Sequence, residues 1–477
     1  MNKKGATVGM ATGGKVLESY DEWLAWAEAE DERRGLDAWK REETSNLYDY
    51  GVIRARYDEL VETRASGDAQ RLLFYLNEGL HGNMGGMGAP QLYAKARVGT
   101  KELITRYIDE IVAALADFEA VAEAEIDQRT KVDYFQRARG CFGRSALMFS
   151  GAGSLGAFHI GVAKALAEQE LLPSVVSGSS AGSVVAAVIG THAADELPGI
   201  LARGATLMRD AAANSTSGGW GMPQIMRQQD VYEMIQAAIP DMTFLEAYEQ
   251  TGYAINVSVA PSRLHQRSRL LNATTSPNAL IREAALASCA VPGVFSPVTL
   301  YARNAAGERQ PYVPSRKWID GSVSDDLPAR RLARLYGINH FISSQTNPMV
   351  FWMLQDPDGE KNLLSRWTTI YQSAVRDWMR AVYPFVMDTV RNFYPMNVYT
   401  RAMFGLATQE YTADINILPQ QRFFDPTRLL SPLSEQEAHN LIQDGERATW
   451  PKVEMIRNCT KVSRQIDGAL VRLTGHA

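Results

Sequence analysis

Between residues 19 and about 137 the apolar positions recur every three to four residues, the period of helices with one buried face. Ser19-Tyr20-Asp21-Glu22 has the serine-to-glutamate spacing of a capping box, which satisfies orphan amides ahead of Trp23, Leu24 and Trp26. A second helix is predicted over about 100–118, where Leu103, Ile104, Tyr107, Ile108, Ile111, Val112 and Leu115 keep one face. Between them the glycines and proline of residues 81–90 predict a loop.

At Ser145 the pattern changes to short apolar runs separated by glycine turns. Strands are predicted at 146–149, 175–177, 254–259, 341–344 and 415–418. A helix follows the first of them to about residue 171, and another follows the second over 183–189. Strand, turn and helix in repetition imply an α/β fold, a parallel sheet with helices on both faces joined by right-handed crossovers. Residues 361–394 read as a long helix interrupted at Pro384, carrying Trp367, Tyr371, Trp378, Tyr383 and Phe385. These aromatic rings suit either a lid at a lipid boundary or ordinary core. Residues 434–473 read as charged helices. The expected division is an N-terminal helical domain over 1–138, an α/β domain over 139–350 and a helical extension with one strand over 351–477.

Two glycine turns carry the candidate chemistry. Gly151-Ala152-Gly153-Ser154-Leu155-Gly156 follows a predicted strand and opens a helix, as a dinucleotide-binding turn does. That reading requires an acidic residue about 20 positions on, at the end of the next strand, to hold a ribose hydroxyl. No Asp or Glu occurs between Leu171 and Ala194, so it fails there. What remains is an anion site, because such a turn points several N–H donors into one small volume, or a plain packing turn. The second turn, Gly178-Ser179-Ser180-Ala181-Gly182, is a GxSxG sequence between a predicted strand and a predicted helix. That is the setting of a nucleophile elbow, and the spacing makes Ser180 the nucleophile. A serine hydroxyl needs a base. The seven histidines are His81, His159, His192, His265, His340, His439 and His476; His340, before an apolar strand, and His439, in a charged helix, have no recognisable catalytic setting, and a carboxylate is the remaining choice.

Composition narrows the class. The chain has 477 residues, 45% hydrophobic and 22% charged, which suits a folded chain of two or three domains. A formal net charge of −5 argues against nucleic acid as a partner. The three cysteines, Cys141, Cys289 and Cys459, lie far apart with no metal spacing, which fits a reducing compartment, and neither metal nor cofactor is expected. The first residues lack the apolar run of a signal peptide, and no stretch approaches roughly 18 continuous apolar residues. The expectation is a cytoplasmic protein that meets membranes or lipid droplets only peripherally.

The two turns, taken with Trp318-Ile319-Asp320-Gly321-Ser322 further along, resemble the patatin-like phospholipases. That family combines a glycine-rich oxyanion loop, a GxSxG elbow and a distant Asp-Gly-Gly or Asp-Gly-Ala. Residues 286–295, Leu-Ala-Ser-Cys-Ala-Val-Pro-Gly-Val-Phe, are similar to the segment the family carries before its aspartate. Residues 19–23, 48–50, 80–83 and 99–101 resemble the helical domain of unknown function that precedes patatin in fungal and plant triacylglycerol lipases. Asp325-Asp326-Leu327-Pro328 and residues 339–341, 345–348 and 445–451 fit that subgroup too. The resemblance implies a Ser180–Asp320 dyad and an oxyanion hole from Gly151, Ala152, Gly153, Ser154 and Gly156. It also implies an elbow shaped by Gly178, Ser179, Ala181 and Gly182, and a base turn at Gly321 and Ser322. Two departures stand out: Ala152 replaces the middle glycine, and Leu155 stands where many members have arginine. The implied activity is hydrolysis of lipid esters, triacylglycerol or phospholipid. Acyl transfer by the same serine and a catalytically weak lipid-binding role are the alternatives.

Overall fold

The computed structural model describes residues 11–12, 15–213, 226–262, 268–322, 325–346, 413–419 and 430–475. The aromatic stretch from Trp367 to Phe385 lies outside them. The chain forms two units, Met1–Phe142 with Glu446–Ala477, and Gly143–Gly445. The sequence reading divided it instead at 138 and 350 and kept the last helices with the extension; the contacts place residues 446–477 with the N-terminal helices.

The first unit is helical. Its main helices are Tyr20–Arg33, Tyr50–Ser66, Ala69–Asn77, Glu102–Ala120, Gln128–Phe142 and Val453–Thr474. Ser19 Oγ accepts the Glu22 N–H at 3.2 Å, as a capping residue should, and the Glu22 carboxylate accepts the N–H of Glu18 at 3.1 Å. In the helix Glu102–Ala120 the apolar stripe packs inward, with Leu103, Ile104, Tyr107, Ile108, Ile111 and Leu115 buried and Val112 half-buried. Residues 81–90 form turns around a short 3-10 helix, Met84–Gly86. The helix Val453–Thr474 joins this unit because its buried face, including Ile456, Ile466 and Leu470, lies on the helices Glu102–Ala120 and Gln128–Phe142. Arg472 adds an ion pair to Glu119 at 2.6 Å.

The second unit is built on a sheet, and its elements are labelled here in chain order. β1 (Arg144–Phe149) leads through the first glycine turn into α1 (Gly156–Glu168), and β2 (Val175–Gly178) leads through the second into α2 (Ala181–Thr191). β3 (Ala254–Pro261), β4 (Arg269–Leu271), α3 (Ile281–Ser288), β5 (Trp318–Asp320), α4 (Ala329–Tyr336), β6 (Ile338–Ser344) and β7 (Ile415–Ile417) follow. The order is β7-β6-β1-β2-β3-β4, with β5 also on β3. β7, β6, β1, β2 and β3 run parallel. In β1 the run Ala146-Leu147-Met148-Phe149 has no polar alternation because a strand inside a parallel sheet is covered on both faces; every residue of β2 and β3 is buried. β4 and β5 pair antiparallel to β3, and the sequence alone predicts neither of them.

His159, on α1, ties the ends of two neighbouring strands together. It is fully buried and stacks edge-on to Phe149. Its Nε2 lies 3.0 Å from the carbonyl of Ser150, which only accepts, so Nε2 carries the proton. Nδ1 then accepts the hydroxyl of Ser344 at 2.6 Å. Burial pushes the imidazole down to about 4, against the upward pull of the Ser150 carbonyl, so it is neutral in the fold. The unfolded chain takes up this proton near pH 6.5 and the folded chain does not. This contribution to stability is therefore complete above pH 6.5 and is lost as pH falls from 6.5 toward 4. A His159→Gln variant, which has no such proton to take up, should be less stable than the parent at pH 7. The gap in thermal midpoint should narrow by pH 5; an unchanged gap would show that the ring is not held neutral.

Candidate active site

The sequence places Ser180 between β2 and α2, and the fold forces it into an unusual conformation. Its φ is 51° and its ψ −130°, and Glu170 is the only other non-glycine residue with positive φ among those described. Such a backbone costs about 1–3 kcal/mol and needs surroundings that leave no alternative. The flanking glycines provide them. A Cβ on Gly178 would lie 2.2 Å from the Gly182 carbonyl oxygen, and one on Gly182 would lie 2.6 Å from the carbonyl oxygens of Phe149 and Ser150. The chain thus folds over itself at a separation that admits no side chain.

Further bonds fix the elbow. Ser179 N–H donates to Phe149 O at 3.2 Å, and Ser183 N–H and Oγ both donate to Ser180 O. Ser180 N–H donates to Ser288 Oγ at 2.9 Å, and that hydroxyl donates onward to Ser258 O at 2.8 Å. Ser288 closes α3 and lies in the segment 286–295; nothing in its sequence setting assigned it this function.

Asp320 ends β5, where its N–H donates to Ala290 O at 3.0 Å. The carboxylate is 1% exposed. Oδ1 accepts the N–H of Ser322 at 2.8 Å, and the hydroxyls of Ser322 and Ser180 lie close enough to favour the charged carboxylate. Burial pushes its pKa up to about 6, although the neighbouring Ser322 and Ser180 groups pull the other way. Ser180 and Asp320, 140 positions apart in the sequence, are therefore neighbours in the fold.

The residues of the first glycine turn divide between two surroundings. Gly153, Ser154 and Gly156 line a cavity together with Ser180 and Ala181. Ala152 is buried beside them, with φ −136°, so the alanine in place of glycine needs no left-handed backbone. Neither the N–H of Ala152 nor that of Gly153 has an acceptor among the described residues. Gly151 stands apart: its N–H donates to Asp326 Oδ1 at 2.6 Å, and Ser322 packs against it. Asp326 is fully buried, and its only mark in the sequence was its place in the Asp-Asp-Leu-Pro run.

From Ser180 the cavity follows α2. Ala181, Val184, Val185 and Val188 line it at the spacing of one helical stripe, facing apolar groups such as Leu201 and Met234. No histidine among the described residues lines it. His340 pairs with Ser145 at 2.9 Å, and His439 is exposed. Among the described residues no group of three His, Cys, Asp or Glu side chains could hold a metal ion, and no helix is long and apolar enough to cross a membrane.

Residues 147–333 match the family described as patatin-like phospholipase, and residues 12–140 match a domain of unknown function, DUF3336. Triacylglycerol lipase 4 of Saccharomyces cerevisiae is 33% identical over 96% of this chain and 52% of its own length. Triacylglycerol lipase SDP1L of Arabidopsis thaliana is 31% identical over 92% of this chain and 55% of its own. The chain thus spans about half the length of these two. It spans nearly all of triacylglycerol lipase ptl3 of Schizosaccharomyces pombe, which is 30% identical over 96% of each chain. Among solved structures, VipD from Legionella pneumophila covers 68% of this chain and 67% of its own at 14% identity, and its TM-score of 0.28 is too low to bear on the fold. The match to the patatin core and the relationship to ptl3 along almost its whole length show that this chain belongs to the patatin-like phospholipase family.

Proposed function

We propose that this protein is a lipid acyl hydrolase that cleaves carboxylic esters through a Ser180–Asp320 dyad. One observation carries the reading: a serine held at φ 51° stands beside a buried carboxylate and an apolar cavity. Asp320 accepts the Ser180 proton as Oγ attacks the ester carbonyl. The negative charge that develops on the carbonyl oxygen is held by amides of the turn, with Ala152, Gly153 and Ser154 as donors. Collapse of the tetrahedral intermediate expels the alcohol, which takes the proton back from Asp320. Water then attacks the acyl-enzyme by the same route and releases the fatty acid.

A free aspartate, at about 3.9, is a poor base near neutrality. Burial moves Asp320 to about 6 and narrows that mismatch. The apolar stripe along α2 suits the acyl chain of a lipid, because its burial is favourable at roughly 0.8 kcal/mol per CH₂. The names of the relatives point to triacylglycerol as the ester. Such a substrate is met at a membrane or droplet surface, so peripheral contact with that surface belongs to the same proposal.

Ser180→Ala should abolish labelling by a fluorophosphonate and lower p-nitrophenyl ester turnover by several orders of magnitude; persistent labelling would place the nucleophile elsewhere. Asp320→Asn should also lose activity steeply, and near-normal turnover would remove it as base.

The pH profile follows from the same group. Asp320 acts as a base only when ionised, so kcat/KM should rise with pH through about 6 and level off above it. A profile still flat at pH 4.5 would contradict the assignment.

A further inference from the structure

The turn after β1 begins with one peptide unit, Ser150–Gly151, whose two polar atoms are both held by buried side chains. Its carbonyl accepts from His159 Nε2 at 3.0 Å, and its N–H donates to Asp326 Oδ1 at 2.6 Å. A peptide group is planar, so fixing its oxygen on one side and its hydrogen on the other leaves no rotation of the plane. The next residues, Ala152, Gly153 and Ser154, inherit their direction from it. Ser150 is held besides: its N–H donates to Ser344 O at 3.1 Å, and its Oγ accepts Thr346 N–H at 3.0 Å.

Asp326 lies six residues after Asp320, so one segment supplies both the proposed base and the carboxylate that holds Gly151. The same segment meets the elbow, where Ser179 Oγ donates to Asp325 O at 3.4 Å. It packs on the first glycine turn so closely that a Cβ at Gly151 would lie 2.9 Å from the Ser322 Cβ. Asp326 Oδ1 is the acceptor, and the 2.6 Å separation is short for an N–H bond.

We propose that Asp326 is a positioning residue for the oxyanion turn: by holding the Gly151 N–H it fixes the orientation in which the following residues line the cavity at Ser180. The inference rests on the reading of Ser180 and Asp320 as nucleophile and base. Asp326 touches no reacting atom. Its loss misplaces amides needed in the transition state, which lowers kcat and leaves ground-state binding nearly as it was.

The test compares Asp326→Ala, Asp326→Asn and Ser180→Ala in the full chain, by p-nitrophenyl butyrate kinetics alongside thermal unfolding. Asp326→Ala should lower kcat by roughly 10²-fold, the order expected for a lost oxyanion donor, with KM changed by less than about threefold. Asp326→Asn keeps an acceptor oxygen and should recover at least about tenfold of that loss. Should the alanine variant not fold, Asp326→Ser takes its place, with the expected order of kcat being parent, Asn, Ser at nearly constant KM. A folded alanine or serine variant with kcat within about threefold of the parent would overturn the proposal, as would a loss confined to KM. Turnover that survives in Ser180→Ala overturns the nucleophile assignment and this inference together. A dead Ser180→Ala beside an unaffected Asp326→Ala overturns only the inference.

Discussion

Asp320 is 1% exposed, and a carboxylate withdrawn from water that far persists only where donors meet it. The Ser322 amide donates to it, the hydroxyls of Ser322 and Ser180 lie beside it, and each constrains a different piece of chain. Ser322 can donate only if the turn after β5 closes tightly. Ser180 is available only because the elbow holds it at positive φ. The elbow persists because glycine on each side lets the strand end and the helix start approach one another. The dyad, the elbow and the base turn are therefore one problem in packing, and a change at any of them is felt at the carboxylate.

Much of this was legible in the residues. The parallel strands announced themselves because burial on both faces leaves uninterrupted apolar runs such as Ala146-Leu147-Met148-Phe149. The helix Glu102–Ala120 was legible because its apolar stripe is long and regular. The GxSxG turn was legible because close approach and positive φ leave little choice of residue. The cofactor alternative was removed at a single checkable position. Asp320 came from a resemblance and not from elimination alone, since nothing local distinguishes its Asp-Gly-Ser from an ordinary turn.

What was not legible depends on contacts between distant segments. Arg269–Leu271 and Trp318–Asp320 are strands because β3 offers them an edge, and three residues carry no period of their own. Ser288 looks like any serine at a helix end until β3 and the elbow arrive on either side of it. Asp326 reads as one of two acidic residues in a polar loop, yet it is fully buried while its neighbour Asp325 is paired with Arg331. The helix Val453–Thr474 shows its amphipathic pattern plainly, but a stripe does not name the surface it will cover.

The bond from Ser180 N–H to Ser288 has an implication for mechanical tolerance. The Ser288 hydroxyl has one proton, and Ser258 O takes it, so its oxygen meets Ser180 as a pure acceptor. The amide of the proposed nucleophile is thereby withdrawn from sharing in the charge that its attack would create. The amides proposed to receive that charge sit on a separate segment, at the end of a neighbouring strand. Their alignment with the attacking oxygen is therefore governed by the β1–β2 ladder, which pairs Phe149 with Gly178 up to the point where both turns begin. That ladder, together with the hold of Asp326 on Gly151, limits how far the proposed nucleophile and its electrostatic partners can drift apart.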